Sequence, residues 1–388
     1  MYKIEDAKLP ILVWADEADL AGFESAIAQA RNLANHPLAQ QHVALMPDFH
    51  VGYGMPIGGV LATRGGVIPN AVGVDIGCGM IAVQTDVEAA SLNRGALERL
   101  RQAIHRRVPV GFKHHQEAQD LWESAADFDP ERQPVIAKNL EPAQHQIGTL
   151  GGGNHFIEIQ ADEDGRVWLM VHSGSRNIGQ QVCNHYDRAA RGYMERFHSA
   201  IPDPDLAFLA EGVPEHDEYL EAMNWCCRFA EESRERMIQA VFAAWEEVTG
   251  RSLGCELLIQ THHNYAALER QMGRNLLVHR KGAVRAEGPV IIPGSMGTAS
   301  YIGEGKAHPA AFRTCSHGAG RVMGRKQANR TITHEEAVQA MAHVVFGVRQ
   351  GDYEEMPQAY KDIDRVMENQ SDLVTPVHRL TPLAVVKG

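Results

Sequence analysis

Apolar residues recur at helical spacing in only a few stretches of the chain. In SLNRGALERLRQAIHRRV (91–108), Leu92, Leu97, Leu100, Ile104 and Val108 fall along one face and charged residues fill the other, which predicts an amphipathic surface helix. Residues 217–249 read as one long helix or a broken pair, closed by Gly250, with its cysteines and aromatics assigned to the core. A second rhythm, rich in β-branched residues, predicts strands in MIAVQTDV (80–87), VWLMVHS (167–173), NLLVHRKG (275–282) and VIIPGSMG (290–297). The last three run into polar or glycine-rich turns, a pattern that hands side chains from strand ends to a cleft. Helices and strands alternate without a regular βαβ rhythm. An α+β fold with mixed sheets is therefore expected, rather than a doubly wound sheet. No linker or internal repeat divides the chain, so one domain is expected over 1–388.

Composition narrows the class. At 388 residues, 44% hydrophobic and 22% charged, the chain can bury a sizeable core. A net charge of −12 argues against a protein that coats nucleic acid indiscriminately, though not against a local basic cleft. Two basic islands stand out against it, HRKGAVR (279–285) and HGAGRVMGRK (317–326). Their glycines interrupt any helical face, so they read as anion-binding loops. The opening MYKIEDAKLPILVW carries charges where a signal peptide needs an apolar run, and no membrane-length apolar segment follows. The cysteines at 78, 183, 226, 227, 255 and 315 show no paired spacing, which suits reduced thiols and a cytoplasmic setting.

The chemistry gathers around GVDIGCGM (73–80), where Asp75 and Cys78 lie three positions apart among glycines. Its glycines fit half of a dinucleotide-binding fingerprint, but a strand follows where that motif needs a helix. Four later stretches each set a histidine among Gly, Ser or Asn: LGGGNHFIEI (150–159), VHSGSRNIG (171–179), THHNYA (261–266) and CSHGAGR (315–321). Singly, each histidine reads as a core or loop residue. Together, a carboxylate, a thiolate and several imidazoles can hold one or two divalent ions. The thiolate and imidazoles favour zinc or another late transition metal, whereas the carboxylate and open positions suit manganese. The residues alone thus point to a metal-dependent enzyme acting on a phosphate ester.

These stretches, with MPDFHVGYGMPIGG (46–59), RKGAV (280–284), IIPGSMG (291–297), AYKDID (359–364) and the final VKG (386–388), resemble the RtcB family of RNA ligases. The likeness runs in order from about residue 43 to residue 388. It implies an α+β catalytic domain with a central metal and nucleotide cleft. It also implies GTP- and manganese-dependent joining of RNA 3′-phosphate or 2′,3′-cyclic phosphate ends to 5′-hydroxyl ends, in RNA repair or tRNA splicing, through a guanylylated histidine. By the same resemblance Asp75, Cys78, His155, His172 and His263 hold two manganese ions, with Cys78 bridging them. His317 takes GMP, and Asn154, Glu158, Ser295, Ser300, Tyr360 and Lys387 hold the nucleotide. Arg176, Lys281 and Arg321 are implied as phosphate contacts. An activating protein partner is compatible with the resemblance.

Two features depart from the pattern. His279 stands where a threonine is expected, placing an extra imidazole near the site, and 109–145 has no recognisable counterpart. Two other readings compete with this one. A metallophosphoesterase that opens cyclic phosphates needs no guanylate site, so CSHGAGR and Lys387 argue against it. A non-catalytic RNA-binding paralogue would have lost a ligand, and all five are present.

Overall fold

A computed structural model describes residues 1–388, with Ala18 described by its backbone alone. Two large sheets dominate. The six-stranded sheet has the order Tyr2–Ile4, Ile11–Val13, Ala39–His50, Ile57–Thr63, Arg274–Lys281, Asn264–Gln271. The seven-stranded sheet runs Cys255–His262, Gly79–Glu88, Arg166–Ser173, Phe156–Ala161, Val374–Lys387, Ser300–Lys306, Glu287–Ile292. Pairing within both is antiparallel, except where Ile11–Val13 meets Ala39–His50. This is the mixed α+β architecture expected. No helix among the described residues is long and apolar enough to cross a membrane.

The weak alternation of MIAVQTDV has a physical cause, since strand Gly79–Glu88 is buried on both faces. Ile81 and Val83 pack with Leu100 and Ile104 of helix Arg94–Arg107 and with Met237 and Val241 of helix Pro214–Thr249. Met80 and Ala82, pointing the other way, join Trp168, Ile302 and Leu380. Ile259 and Ile291, from the two edge strands, lie in that same cluster, so the sheet curls over its own inner face.

The helical expectations hold with small shifts. The first helix starts later than the apolar pattern, because the Asn93 side chain caps it by accepting from the Ala96 amide at 2.9 Å. Residues 214–249 form one unbroken helix, ended by Gly250 in the left-handed conformation, φ 71°. Cys226, Phe229 and Trp245 are buried along it, and all six cysteines are free thiols. The 290–297 stretch is a strand only to Ile292, and the rest is turn.

The chain passes from one sheet to the other at a single residue. Strand Cys255–His262 belongs to the seven-stranded sheet and Asn264–Gln271 to the six-stranded one, so His263 is the junction. Close backbone approach makes that junction possible. A Cβ on Gly79, opposite His262, would lie 2.0 Å from the Thr261 carbonyl oxygen. Gly79→Ala should therefore push these two strands apart and cost about 1–3 kcal/mol, the usual range for overpacking. Chemical denaturation would measure it, and an unchanged midpoint would mean that the strands adjust freely.

Candidate metal and nucleophile cleft

Strand register gathers the predicted ligands at one end of the seven-stranded sheet. Gly79 pairs with both Ser173 and His262, and Phe156 pairs with both His172 and Lys387. Cys78, His155, His172, His263 and Lys387 are thereby neighbours although they are distant in sequence. Contacts run through them as a string. Asp75 Oδ2 lies 3.2 Å from His155 Nε2, which is 3.4 Å from Cys78 Sγ. That sulfur is 3.2 Å from His172 Nε2, itself 3.5 Å from His263 Nε2.

Backbone carbonyls set the imidazole tautomers. His155 Nδ1 donates to Leu150 O at 3.0 Å and His172 Nδ1 to Asn154 O at 3.1 Å, so both Nε2 lone pairs point at the cluster. Burial, reinforced by neighbouring imidazoles, holds His172 and His263 neutral, far below the usual histidine range. Burial and the Asp75 charge push the Cys78 thiol well above its usual range. One thiol hydrogen thus faces a carboxylate and several imidazole lone pairs. A donor set so rich in electron pairs and so short of protons fits a divalent cation, and the ligand atoms of Cys78, His155 and His172 all lie within 4.8 Å of one another.

His317 stands beside the string, its ring centroid 4.6 Å from that of His263. It follows strand Thr314–Ser316, which pairs with Ala283–Arg285, and Ala283 bonds back to the His263 carbonyl. Its Nδ1 donates to Asp48 Oδ2 at 2.6 Å, and the same oxygen accepts its backbone N–H at 3.1 Å. Asp48 is wholly buried and locks the ring through Nδ1, so Nε2 is the ring nitrogen left without a protein partner, in a residue that lines the cleft.

Around these groups lies a cleft of about 650 Å³ lined by Asp75, Cys78, His172, His263 and His317, and farther out by Asn154, Ser295, Arg321, Tyr360 and Lys387. Glu158 and Ser300 lie behind that wall, bridged by Gln160, whose Nε2 reaches Glu158 Oε2 at 2.6 Å and Ser300 Oγ at 3.1 Å. Burial pushes the Glu158 carboxyl up to about 7, against the pull of Gln160 and Lys387. Arg321 bonds Glu355 at 3.1 Å and the Tyr360 hydroxyl at 3.0 Å.

Other expectations need correction. HRKGAVR is not an anion-binding loop, because most of it is interior strand. Arg280 is buried in a pair with Glu269 at 2.5 Å, and Lys281 donates to Tyr53 O and Asn70 O. His279 lies between strands, its Nε2 accepting from the Ile68 amide at 3.1 Å, away from the cleft. Arg176 lies behind the ligands and bonds Thr149 Oγ1 and Gly111 O. The glycines of GVDIGCGM do not leave their loop free. The Gly77 amide bonds Asn264 O and the Asn264 side chain bonds Asp75 O at 2.9 Å, so the loop is pinned.

Two residues that the motifs did not assign hold the site together. Asp48 lay inside MPDFH without a role. Arg234 left a subtler signal, a charge at 234 within the helical stripe of Ala230, Met237 and Val241. Its buried guanidinium donates to Gly77 O at 3.1 Å and Ser173 O at 2.8 Å, and lies 3.2 Å from His262 Nδ1. Each of these is next in sequence to a ligand of the string.

A string of metal-type ligands beside an imidazole held by a buried carboxylate is a candidate site for metal-assisted catalysis. Comparison with known proteins narrows this class. The model of the family described as tRNA-splicing ligase RtcB matches residues 29–388. The chain is 39% identical over 402 residues to RNA-splicing ligase RtcB of Escherichia coli K12, covering 98% of this chain and 97% of that protein. It is 34% identical to RNA-splicing ligase RtcB of Mycobacterium tuberculosis H37Rv (93% and 100% covered) and 31% identical to tRNA-splicing ligase RtcB of Aeropyrum pernix K1 (99% and 97%). The chain belongs to the RtcB family of RNA ligases.

Arg234 yields a prediction about metal affinity. Arg234→Lys keeps the charge but cannot span three acceptors, and Arg234→Met removes the charge as well. Both should bind Co2+ about ten- to a hundred-fold more weakly than the parent, the range for losing a group that orients metal ligands. Cys78→Ala should instead lower the number of ions bound and remove the sulfur-to-cobalt absorption band. Parent-like affinity in both Arg234 variants would show that the ligands hold their places without the guanidinium.

Proposed function

We propose that this chain is a GTP- and manganese-dependent ligase that joins RNA 3′-phosphate or 2′,3′-cyclic phosphate ends to 5′-hydroxyl ends through guanylylated His317. The observation that carries this reading is the His317 ring, fixed by Asp48 through Nδ1 and set beside the metal-type cluster. A hydrolase would need no such nucleophile.

In the first step His317 Nε2 attacks the α-phosphorus of GTP. The new N–P bond forms as the bond to the β-phosphate oxygen breaks, and pyrophosphate leaves. Asp48 stabilises the positive charge that develops on the ring. An oxygen of the RNA 3′-phosphate then attacks the same phosphorus and His317 is released. The RNA end now carries a phosphoanhydride, so the 5′-hydroxyl can displace GMP rather than oxide. A 2′,3′-cyclic phosphate is first opened by water. Manganese at Asp75, Cys78, His155, His172 and His263 would supply Lewis-acid stabilisation of phosphoryl oxygens throughout. Arg321 lines the cleft as a phosphate contact. Lys281, with its ammonium on two carbonyls, is left out of that role.

Asn154, Ser295, Ser300 and Tyr360 would surround the nucleotide. A carboxylate at Glu158 suits the two neighbouring donors on the Watson–Crick edge of guanine, and Lys387 can donate to guanine O6 or N7, where adenine presents an amino group in place of O6. GTP should be used and ATP poorly.

His317→Ala should form no covalent GMP adduct and join no 3′-phosphate ends, yet still bind metal and still seal RNA already carrying a 3′-guanylate. Labelled GTP and a pre-activated RNA test both halves. Adduct retained by the variant, or an acid-stable adduct in the parent, would move the nucleophile elsewhere.

The raised Glu158 carboxyl adds a pH dependence. Below about 7 it is protonated and loses its acceptor character, so guanine affinity should fall as pH drops through that value and level off above it. Guanosine, which has no phosphate to titrate near neutrality, is the ligand of choice. In Glu158→Gln the step should vanish. Binding by the parent protein that is flat across neutral pH would remove Glu158 from the guanine contact.

A further inference from the structure

The 109–145 segment, unassigned by the sequence motifs, is tied directly to the cleft. Leu150 bonds Pro109 O at 2.9 Å, the Gly111 amide bonds Gly151 O at 2.7 Å, and Arg176 bonds Gly111 O at 3.2 Å. These bonds hold up Phe112, which at 101% exposure is the most exposed large apolar side chain among the described residues. A single exposed ring on a surface is ordinary. The surroundings of this one are not.

Lys113 and His114 follow it, both exposed. Beside them lies the row Gly151–Gly152–Gly153, which carries no side chains and rises to exposure at Gly153. At one end the row is buried, since a Cβ on Gly151 would meet the Arg176 guanidinium and Gly388 packs against the Gly151 carbonyl, so only Gly152 and Gly153 are open. At the other end a Cβ on Gly153 would meet the Arg325 guanidinium at 3.1 Å, and the next residue, Asn154, lines the cleft. Arg325 continues into a shallow basic surface with Lys326 and Arg330, in a chain of net charge −12. Of the nearby acids, Glu355 is occupied by Arg321 and Arg325 and Glu354 pairs with Arg325, while Asp352 and the carboxylate of Gly388 remain.

We propose that the glycine row is the path by which single-stranded RNA leaves the cleft, and that Phe112 stacks on a base near the break. This rests on the RNA-ligase reading. A row without side chains lets a sugar–phosphate chain lie against the backbone. Arg325 on one side and Lys113 with His114 on the other neutralise its phosphates, and an exposed ring offers any base a stacking partner. The mixture of cations and one bare ring fits a nucleic-acid strand better than a protein face, which would present a broader apolar patch.

The test uses the whole protein and a labelled single-stranded RNA ending in a 3′-phosphate. Phe112→Ala should bind it about ten-fold more weakly, Phe112→Trp should restore binding, and Lys113→Ala should flatten the salt dependence by about one charge. Replacing successive nucleotides by abasic ones should weaken binding to the parent most at one position, and Phe112→Ala should be insensitive at that position. Because Phe112 packs against nothing, melting temperature and formation of the His317 adduct should be unchanged. Equal RNA affinity of parent and Phe112→Ala, or an abasic penalty that persists in the variant, would overturn the proposal. Failure of the parent to form an adduct or to seal RNA would instead overturn the ligase reading, and the two failures are separable.

Discussion

One buried guanidinium sets the geometry on which the cleft depends. Arg234 reaches from the long helix into the end of the seven-stranded sheet and joins the backbone beside Cys78 and beside His172, and the ring of His262. No carboxylate pairs with it directly. Burial lowers it only to about 10, so it stays charged at neutral pH. Such a charge is costly in a dry interior unless negative charge stands close by. Cys78 and Asp75 supply that charge once the thiol is ionised. The guanidinium and the ligand set are thus mutually supporting, and a metal that ionised the thiol would relieve an electrostatic demand that the fold creates.

The cleft divides its work by the way each imidazole is held. His155 and His172 are anchored through Nδ1 to neutral carbonyls, which leaves a lone pair suited to a cation. His317 is anchored to a buried carboxylate, which on the proposed reading would make its other nitrogen a better nucleophile and support charge on the ring during transfer. Under that proposal, three similar side chains are separated into ligands and nucleophile by what lies behind them. His263, the junction of the two sheets, sits between the two sets and keeps them in register.

Much of this was legible in the chain. The strand-end histidines, the Asp75–Cys78 pair and the surface helix were visible because local pattern determines them. Legibility failed where tertiary pairing decides the outcome. Arg280 and Lys281 looked like free cations until Glu269 and two carbonyls claimed them. Glycines at 73, 77 and 79 give no local sign of constraint, yet the neighbouring strand and Asn264 leave the loop no freedom. Arg234 was readable only as an anomaly, a charge on the apolar face of a helix.

The order of strands in the seven-stranded sheet has a consequence for how the chain is made. Strand Val374–Lys387 lies between Phe156–Ala161 and Ser300–Lys306, both of which leave the ribosome before it. Until it arrives, each neighbour presents an open edge, the kind of surface on which chains associate wrongly. The inner cluster of Met80, Trp168, Ile302 and Leu380 cannot close either. Nascent chains would therefore spend most of their synthesis with this barrel-like core unsealed, and would depend on chaperones or swift completion to escape aggregation.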